Sequence, residues 1–261
     1  MAYTLSMVVA ESSARRPASR AFELMAPAEY GLFTAATPWF PQVDQARADT
    51  VLVMPGLVAS DVSTRPLRRL LGRMGHRAVG WDLGRNHGPT QEIVDGIQRR
   101  LIDESDKAGA PITLIGWSLG GIYARYLAGE YPDRIRQVIS LGSPFNIEHA
   151  EATNASGVYE RNGRRTRFVK DRGSVELDRI PVPSTAIYTT TDGVVSWRSC
   201  RQTTGPGAEN VRVHGSHCGL GVNVSAAVVI ADRLAQAKGS WAPFRPHLLT
   251  AALFPPQLPT Q

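Results

Sequence analysis

Ile112-Thr113-Leu114-Ile115-Gly116-Trp117-Ser118-Leu119-Gly120-Gly121-Ile122-Tyr123-Ala124 is the most informative stretch of this chain. Four residues of apolar and β-branched character read as a short buried strand, and Leu119 to Gly129 reads as a helix. Ser118 falls between them, inside a G-x-S-x-G pattern. In a chain with 24 glycines the pattern alone is weak. Its strand-to-turn-to-helix setting gives it weight, because a serine on so sharp a turn is held in a strained backbone conformation with its hydroxyl clear of the sheet. Gly116 and Gly120 leave room for the helix and the adjoining strands to approach closely. The helix that starts beside the serine offers free N–H groups and a positive dipole end, both useful where negative charge develops on a substrate oxygen. A surface serine in a glycine-rich turn and a phosphate-cradling loop are the bland alternatives, but no G-K-[ST] follows.

Outward from this stretch, strands alternate with helices. Val51 to Met54 is an apolar run stopped by Pro55-Gly56, and Leu67, Leu70, Leu71 and Met74 mark one face of a helix for which Ser63 or Thr64 can serve as cap. Arg77 to Trp81 reads as a strand. A longer helix opens at Thr90, with Ile93, Val94, Ile97, Leu101 and Ile102 on one face and Gly109 and Pro111 as stop signals. Further strands fall at Ile135 to Leu141, Ser184 to Thr189 and Asn210 to Val213, and Asn223 can cap a last helix reaching about Ala237. Crossover connections of this kind give an α/β class: a doubly wound, mostly parallel sheet with helices on both faces. Sites in such sheets form beyond the carboxyl ends of the strands.

The 261 residues, 43% of them apolar, suffice for one substantial core, so residues 1–261 are expected to form a single domain. Residues 1–48 read as an N-terminal extension, partly helical over Ala18 to Met25 and irregular through Pro38 and Pro41. Residues 144–181 interrupt the rhythm and suggest a small cap-like insertion. There, Phe145, Ile147, Val158, Tyr159, Phe168 and Val169 could roof an apolar pocket. The net charge of +6 is concentrated in Arg161 to Arg172, which reads as a solvated loop, or as an attractor of an interface or an acidic substrate. No nucleic-acid motif accompanies it. The apolar run Leu5 to Ala10 is short and lacks a preceding basic residue, so no signal peptide is read. No run spans a bilayer. A cytoplasmic protein is expected, although a chain trimmed of its leader would read the same; the oligomeric state is not legible.

Gly116-Trp117-Ser118-Leu119-Gly120, then Thr191-Asp192-Gly193, then His217 resemble the Ser, Asp, His order of the α/β-hydrolases, bacterial serine esterases and lipases in particular. The resemblance covers roughly residues 51–237 and implies Ser118 as nucleophile, His217 as general base and Asp192 as the group that orients it. Asp82 precedes the serine and Asp178 lies in the interrupting segment, which makes both weaker acids than Asp192. His214 sits at a strand end, where its side chain is expected to pack, and His76, His87, His149 and His247 lack a comparable setting. The family's two oxyanion donors, both backbone N–H groups, correspond here to Leu119 and to Leu57 after Pro55-Gly56, where many relatives have His-Gly. Trp117 reads as a core residue.

The implied reaction is hydrolysis of a small-molecule or lipid carboxylic ester through an acyl-enzyme, with no cofactor and no metal. Acyl transfer or thioester cleavage by the same three residues, or a slow-turnover receptor on the same fold, are the alternatives. Cys200 and Cys218 follow the expected acid and base. A disulfide between them would tie the two loops and add about 3 kcal/mol, whereas a reducing compartment would leave two buried thiols free.

Overall fold

The computed structural model describes residues 18–44, 47–146 and 176–258. Six strands, β1 (Thr50–Met54), β2 (Arg77–Gly80), β3 (Ile112–Trp117), β4 (Ile135–Leu141), β5 (Ser184–Tyr188) and β6 (Ala208–Arg212), form one sheet in the order β2-β1-β3-β4-β5-β6. Every neighbouring pair is parallel. Among the described residues the α-helices are α1 (Ala26–Ala36), α2 (Asp61–Arg73), α3 (Gln91–Ala108), α4 (Leu119–Glu130) and α5 (Val224–Ala235).

Alternation along β1 shows why the strands read as unbroken apolar runs. Val51 and Val53 share a buried cluster with Leu67 and Leu71 of α2 and Val229 and Ile230 of α5. Leu52 and Met54 join Ile97 and Leu101 of α3 and Tyr123 and Leu127 of α4 in another cluster. With helices on both faces, β5 is buried throughout and β1, β3 and β4 nearly so, while the edge strands β2 and β6 stay partly open to water; each fully buried aliphatic side chain contributes about 1.5–3 kcal/mol.

The strands expected from the sequence are present with shifted ends: β2 stops at Gly80, β3 runs on to Trp117 and β6 spans Ala208–Arg212. Thr90 and Asn223 cap α3 and α5, their side-chain oxygens accepting from the N–H groups of Ile93 and Ala226. Neither Ser63 nor Thr64 caps α2. The helix starts earlier, after Ser60, and both hydroxyls donate back to carbonyls of its first turn. The Asp61 carboxylate at that end accepts from the N–H groups of Trp81 and Asp82, so a tertiary contact sets where the helix begins.

The extension departs most from expectation. Arg20–Met25, within the stretch expected to be partly helical, is a short 3-10 helix, but instead of running irregularly past Met25 the chain continues into α1. The sequence of α1, APAEYGLFTAA, has no apolar stripe and buries only Glu29 and Phe33. A helix this short draws its stability from what it docks on rather than from its own pattern. Most of the expected cap, including the arginine-rich stretch 161–172, lies outside the described residues. Phe145 is not part of a pocket roof; it is buried in the core beneath the guanidinium of Arg125, 3.6 Å from its ring centroid. No helix among the described residues is long and apolar enough to cross a membrane.

Candidate active site

Ser118 joins β3 to α4 with φ +54° and ψ −121°, a region that costs a side-chain-bearing residue about 1–3 kcal/mol. The surroundings enforce it. Its N–H donates to the Leu141 carbonyl at 2.8 Å, which ties the turn to β4. A Cβ on Gly116 would run into the backbone of Gly120 and Gly121, and one on Gly120 into the carbonyls of Met54 and Pro55. The glycines of the motif therefore allow the helix to start directly against the sheet.

Asp192 and His217 come from loops beyond β5 and β6, at the same end of the sheet. His217 Nε2 lies 3.1 Å from Ser118 Oγ, and Nδ1 lies 2.6 Å from Asp192 Oδ2. Asp192 is 1% exposed, yet both of its oxygens are engaged, because Oδ1 accepts from the N–H groups of Val194 (2.9 Å) and Val195 (2.8 Å). A carboxylate that only accepts assigns the proton to Nδ1 and leaves Nε2 as an acceptor facing the serine hydroxyl. Gly142, at φ +54°, closes the underside of this pair: a Cβ there would come 3.2 Å from His217 Nδ1 and 3.4 Å from Asp192 Oδ2. Its place directly after the apolar strand β4 was a readable signal.

Gly56 lies against the serine, since a Cβ on it would sit 3.2 Å from Ser118 Cβ and 3.8 Å from Oγ. Leu57 follows it, and Leu119 opens α4. Among the described residues neither N–H is donated to a protein acceptor, as the first turn of a helix and an open loop require. The buried Asn86 braces this loop. Its Nδ2 donates to the Pro55 carbonyl (3.0 Å), and its backbone carbonyl accepts from Val58 N–H (2.7 Å). Neither Asn86 nor its role is evident from the sequence pattern.

The other candidates lie elsewhere in the fold. Asp82 is exposed after β2, and the Asp178 carboxylate accepts from the N–H and hydroxyl of Thr203. His214 is exposed rather than packed, and its carbonyl accepts from Asn223 Nδ2. The buried His76 Nδ1 accepts from Asp49 N–H, and burial holds its imidazole below the usual range. Trp117 is more than core filling, because its indole Nε1 donates to the His217 carbonyl at 3.0 Å.

The cysteines are not bridged. Cys200 is buried with its Sγ 3.6 Å from the Ser196 carbonyl, while Cys218 is exposed. Burial pushes the Cys200 thiol well above the usual range, and burial, followed by the neighbouring Glu23, pushes Cys218 up to about 12. Hydrogen bonds join the two loops instead. Among the described residues no group of three or more His, Cys, Asp or Glu is arranged to hold a metal ion.

A model of the α/β-hydrolase fold family matches residues 106–162, which contain the whole turn around Ser118. The chain has the α/β-hydrolase fold. Solved structures agree on this architecture. Lipase B of Aspergillus fumigatus superposes with a TM-score of 0.56 at 18% identity, over 73% of this chain and 53% of the fungal one. The chain thus spans about half the length of that relative. A mature lipase of Bacillus licheniformis gives 0.52 at 13% identity, over 74% of this chain and 95% of that one. A thioesterase domain from the curacin biosynthetic pathway gives 0.50 at 15% identity, over 75% and 93%. No curated protein sequence matches the chain significantly.

Proposed function

We propose that this α/β-hydrolase is a serine hydrolase that cleaves carboxylic esters through an acyl-enzyme. The observation that carries the reading is the unbroken chain Asp192 Oδ2, His217 Nδ1, His217 Nε2, Ser118 Oγ, at 2.6 and 3.1 Å, which ends on a serine held at positive φ. His217 Nε2 takes the hydroxyl proton as Oγ bonds to the ester carbonyl carbon, and Asp192 stabilises the imidazolium that forms. The carbonyl electron pair moves onto oxygen, where the N–H groups of Leu119 and Leu57 receive the charge. Collapse breaks the bond to the alcohol, which leaves with the proton from His217. Water, deprotonated by the same nitrogen, then releases the acid and regenerates Ser118. That lipases and a thioesterase domain share the fold is consistent with acyl chemistry at this position.

A fluorophosphonate probe followed by peptide mapping tests the reading, alongside turnover of p-nitrophenyl esters from acetate to palmitate. Labelling confined to Ser118, with turnover of at least one ester and its loss in Ser118→Ala, is the expected result. Labelling at another residue, or turnover that survives Ser118→Ala, refutes it.

A further inference from the structure

The N-terminal segment delivers two carboxylates to the loops that carry the acid and the base. Glu23 Oε1 accepts from the N–H of Gly193 (2.8 Å) and the N–H of His217 (3.0 Å), and Oε2 accepts from the N–H of Cys218 (2.7 Å). Gly193 directly follows Asp192. One side chain therefore bridges the Asp192 loop and the His217 loop, from positions 170 and 194 residues away in the chain. Burial alone would raise the Glu23 carboxyl; the three N–H donors outweigh it and hold it below the usual range.

Further contacts show that the segment and the loops are fitted to each other. Glu29, on α1, accepts from Ser216 Oγ (2.5 Å) through Oε2 and from Asn223 Nδ2 (2.9 Å) through Oε1. Ala18 N–H donates to the Asp192 carbonyl at 2.7 Å. A Cβ on Gly193 would come 2.9 Å from the Ser19 carbonyl oxygen and 3.1 Å from Glu23 Oε1, and side chains at Gly215 or Gly219 would collide with the Glu29 carboxylate. Three glycines in the two loops thus leave the room that the segment occupies.

The His217 peptide is held from both sides, its N–H by Glu23 and its carbonyl by the Trp117 indole. The bond to Glu23 is charge-assisted and about twice as strong as a neutral one, and the imidazole these bonds orient must keep both of its own bonds in line. We infer that Glu23 is a positioning residue, which locks the Asp192 and His217 loops together and so holds the imidazole between Asp192 and Ser118. The inference rests on the serine-hydrolase reading for its effect on rate, but not for its effect on geometry.

The experiment compares the full chain with Glu23→Ala and Glu23→Gln, using ester kinetics and the low-field proton resonance of the His217 Nδ1–H. Loss of the bridge lets the ring drift, and a misplacement of about 1 Å costs about 100-fold in kcat while leaving KM within about twofold. The Nδ1–H resonance then moves upfield or exchanges away. In Glu23→Gln the amide oxygen still accepts from Gly193 and His217, while its NH2 is set against the Cys218 N–H, so kcat recovers only in part, to roughly tenfold above the alanine variant, and the resonance returns. If Glu23→Ala does not fold, Glu23→Asp replaces it: its carboxylate falls about 1.5 Å short, and the same losses are expected.

A Glu23→Ala enzyme with kcat within about threefold of the parent and an unshifted resonance overturns the inference. So does a loss of rate that the glutamine variant does not relieve, which would mark a purely structural contact. If the parent neither turns over esters nor reacts with the probe, the hydrolase reading fails, and the resonance in parent and variants still decides the role of Glu23.

Discussion

Asp192→Asn is the sharpest perturbation of the site, because the hydrogen bonds dictate how the amide must sit. Asp192 Oδ1 accepts from two backbone donors, Val194 N–H and Val195 N–H, while Oδ2 faces His217 Nδ1. An asparagine has one acceptor end. Turning its NH2 toward the two backbone N–H groups would set donor against donor twice, so the oxygen stays there and the NH2 faces His217. Nδ1 must then accept, which moves the ring proton to Nε2 and points it at Ser118 Oγ. A base carrying its proton on the wrong nitrogen is expected to lose about 10,000-fold in kcat, as Ser-His-Asp catalytic sites do, equivalent to about 5 kcal/mol of transition-state stabilisation. The replacement is nearly isosteric and keeps two of the three hydrogen bonds, so far-UV circular dichroism and cooperative melting should be retained. The assay is kcat and KM on the best p-nitrophenyl ester, with active sites counted by burst titration. A folded Asp192→Asn protein within about tenfold of the parent would refute both the tautomer argument and the role given to Asp192.

Three further outcomes follow from the same geometry. Ser118→Gly removes a side chain from a backbone at φ +54° and is expected to raise the stability to urea by about 1 kcal/mol while abolishing turnover; an unchanged or lower stability would show that the turn is not strained. Cys218 is exposed, but its thiol is pushed up to about 12. At pH 8 iodoacetamide should therefore alkylate it about 1,000-fold more slowly than an ordinary exposed thiol, and a rate within tenfold of a model thiol contradicts this. The Glu23 carboxyl is held below its usual range in the folded chain, so its contribution to stability is present above the unfolded pKa and is lost as pH falls through the lower folded one. Urea midpoints measured from neutral pH down to pH 3 should fall less steeply for Glu23→Gln than for the parent, and parallel curves would exclude the contribution.

The parts of this molecule legible in its sequence are those governed by short-range periodicity. Val51 to Met54 and Ile112 to Ile115 are buried on both faces and therefore read as apolar runs, and Thr90 and Asn223 cap the helices they were expected to cap. The turn at Ser118 was legible because close packing leaves glycine as the residue that fits at 116 and 120. Contacts made across the chain were not legible. Helix α1 carries no stripe, and the only trace of Glu23 and Glu29 outside their own segment is the set of glycines at 193, 215 and 219, which alone reads as loop composition. Trp117 looked like core filling because an indole beside an apolar strand is usually that, and its hydrogen-bond partner lies 100 residues away. For Cys200 and Cys218 the sequence leaves open a bridge or two free buried thiols; both are free, Cys200 buried and Cys218 exposed, and the burial of a loop side chain is again set by contacts made across the chain.

Precision at this site comes from two different sources. Ser118 is fixed by the sheet itself, through its N–H on Leu141, the glycines beneath it and the start of α4. Asp192 and His217 stand on loops beyond β5 and β6, and loops are the least constrained parts of a fold. Their constraint is supplied from outside: Thr189 and Thr191 both donate to the Gly215 carbonyl, Trp117 donates to the His217 carbonyl, and Glu23 bridges the two loops. The three ties from Thr189, Thr191 and Trp117 are neutral hydrogen bonds, and each can be lost without leaving a charge unpaired. The Glu23 tie engages a half-buried carboxylate in charge-assisted hydrogen bonds from three loop N–H groups, so separating the loops from the N-terminal segment gives up the strongest of these ties. The energetic penalty for opening the site is thereby placed on a residue far from the serine in sequence. For that reason, changes in the first helical segment should alter kcat before they alter the stability of the sheet.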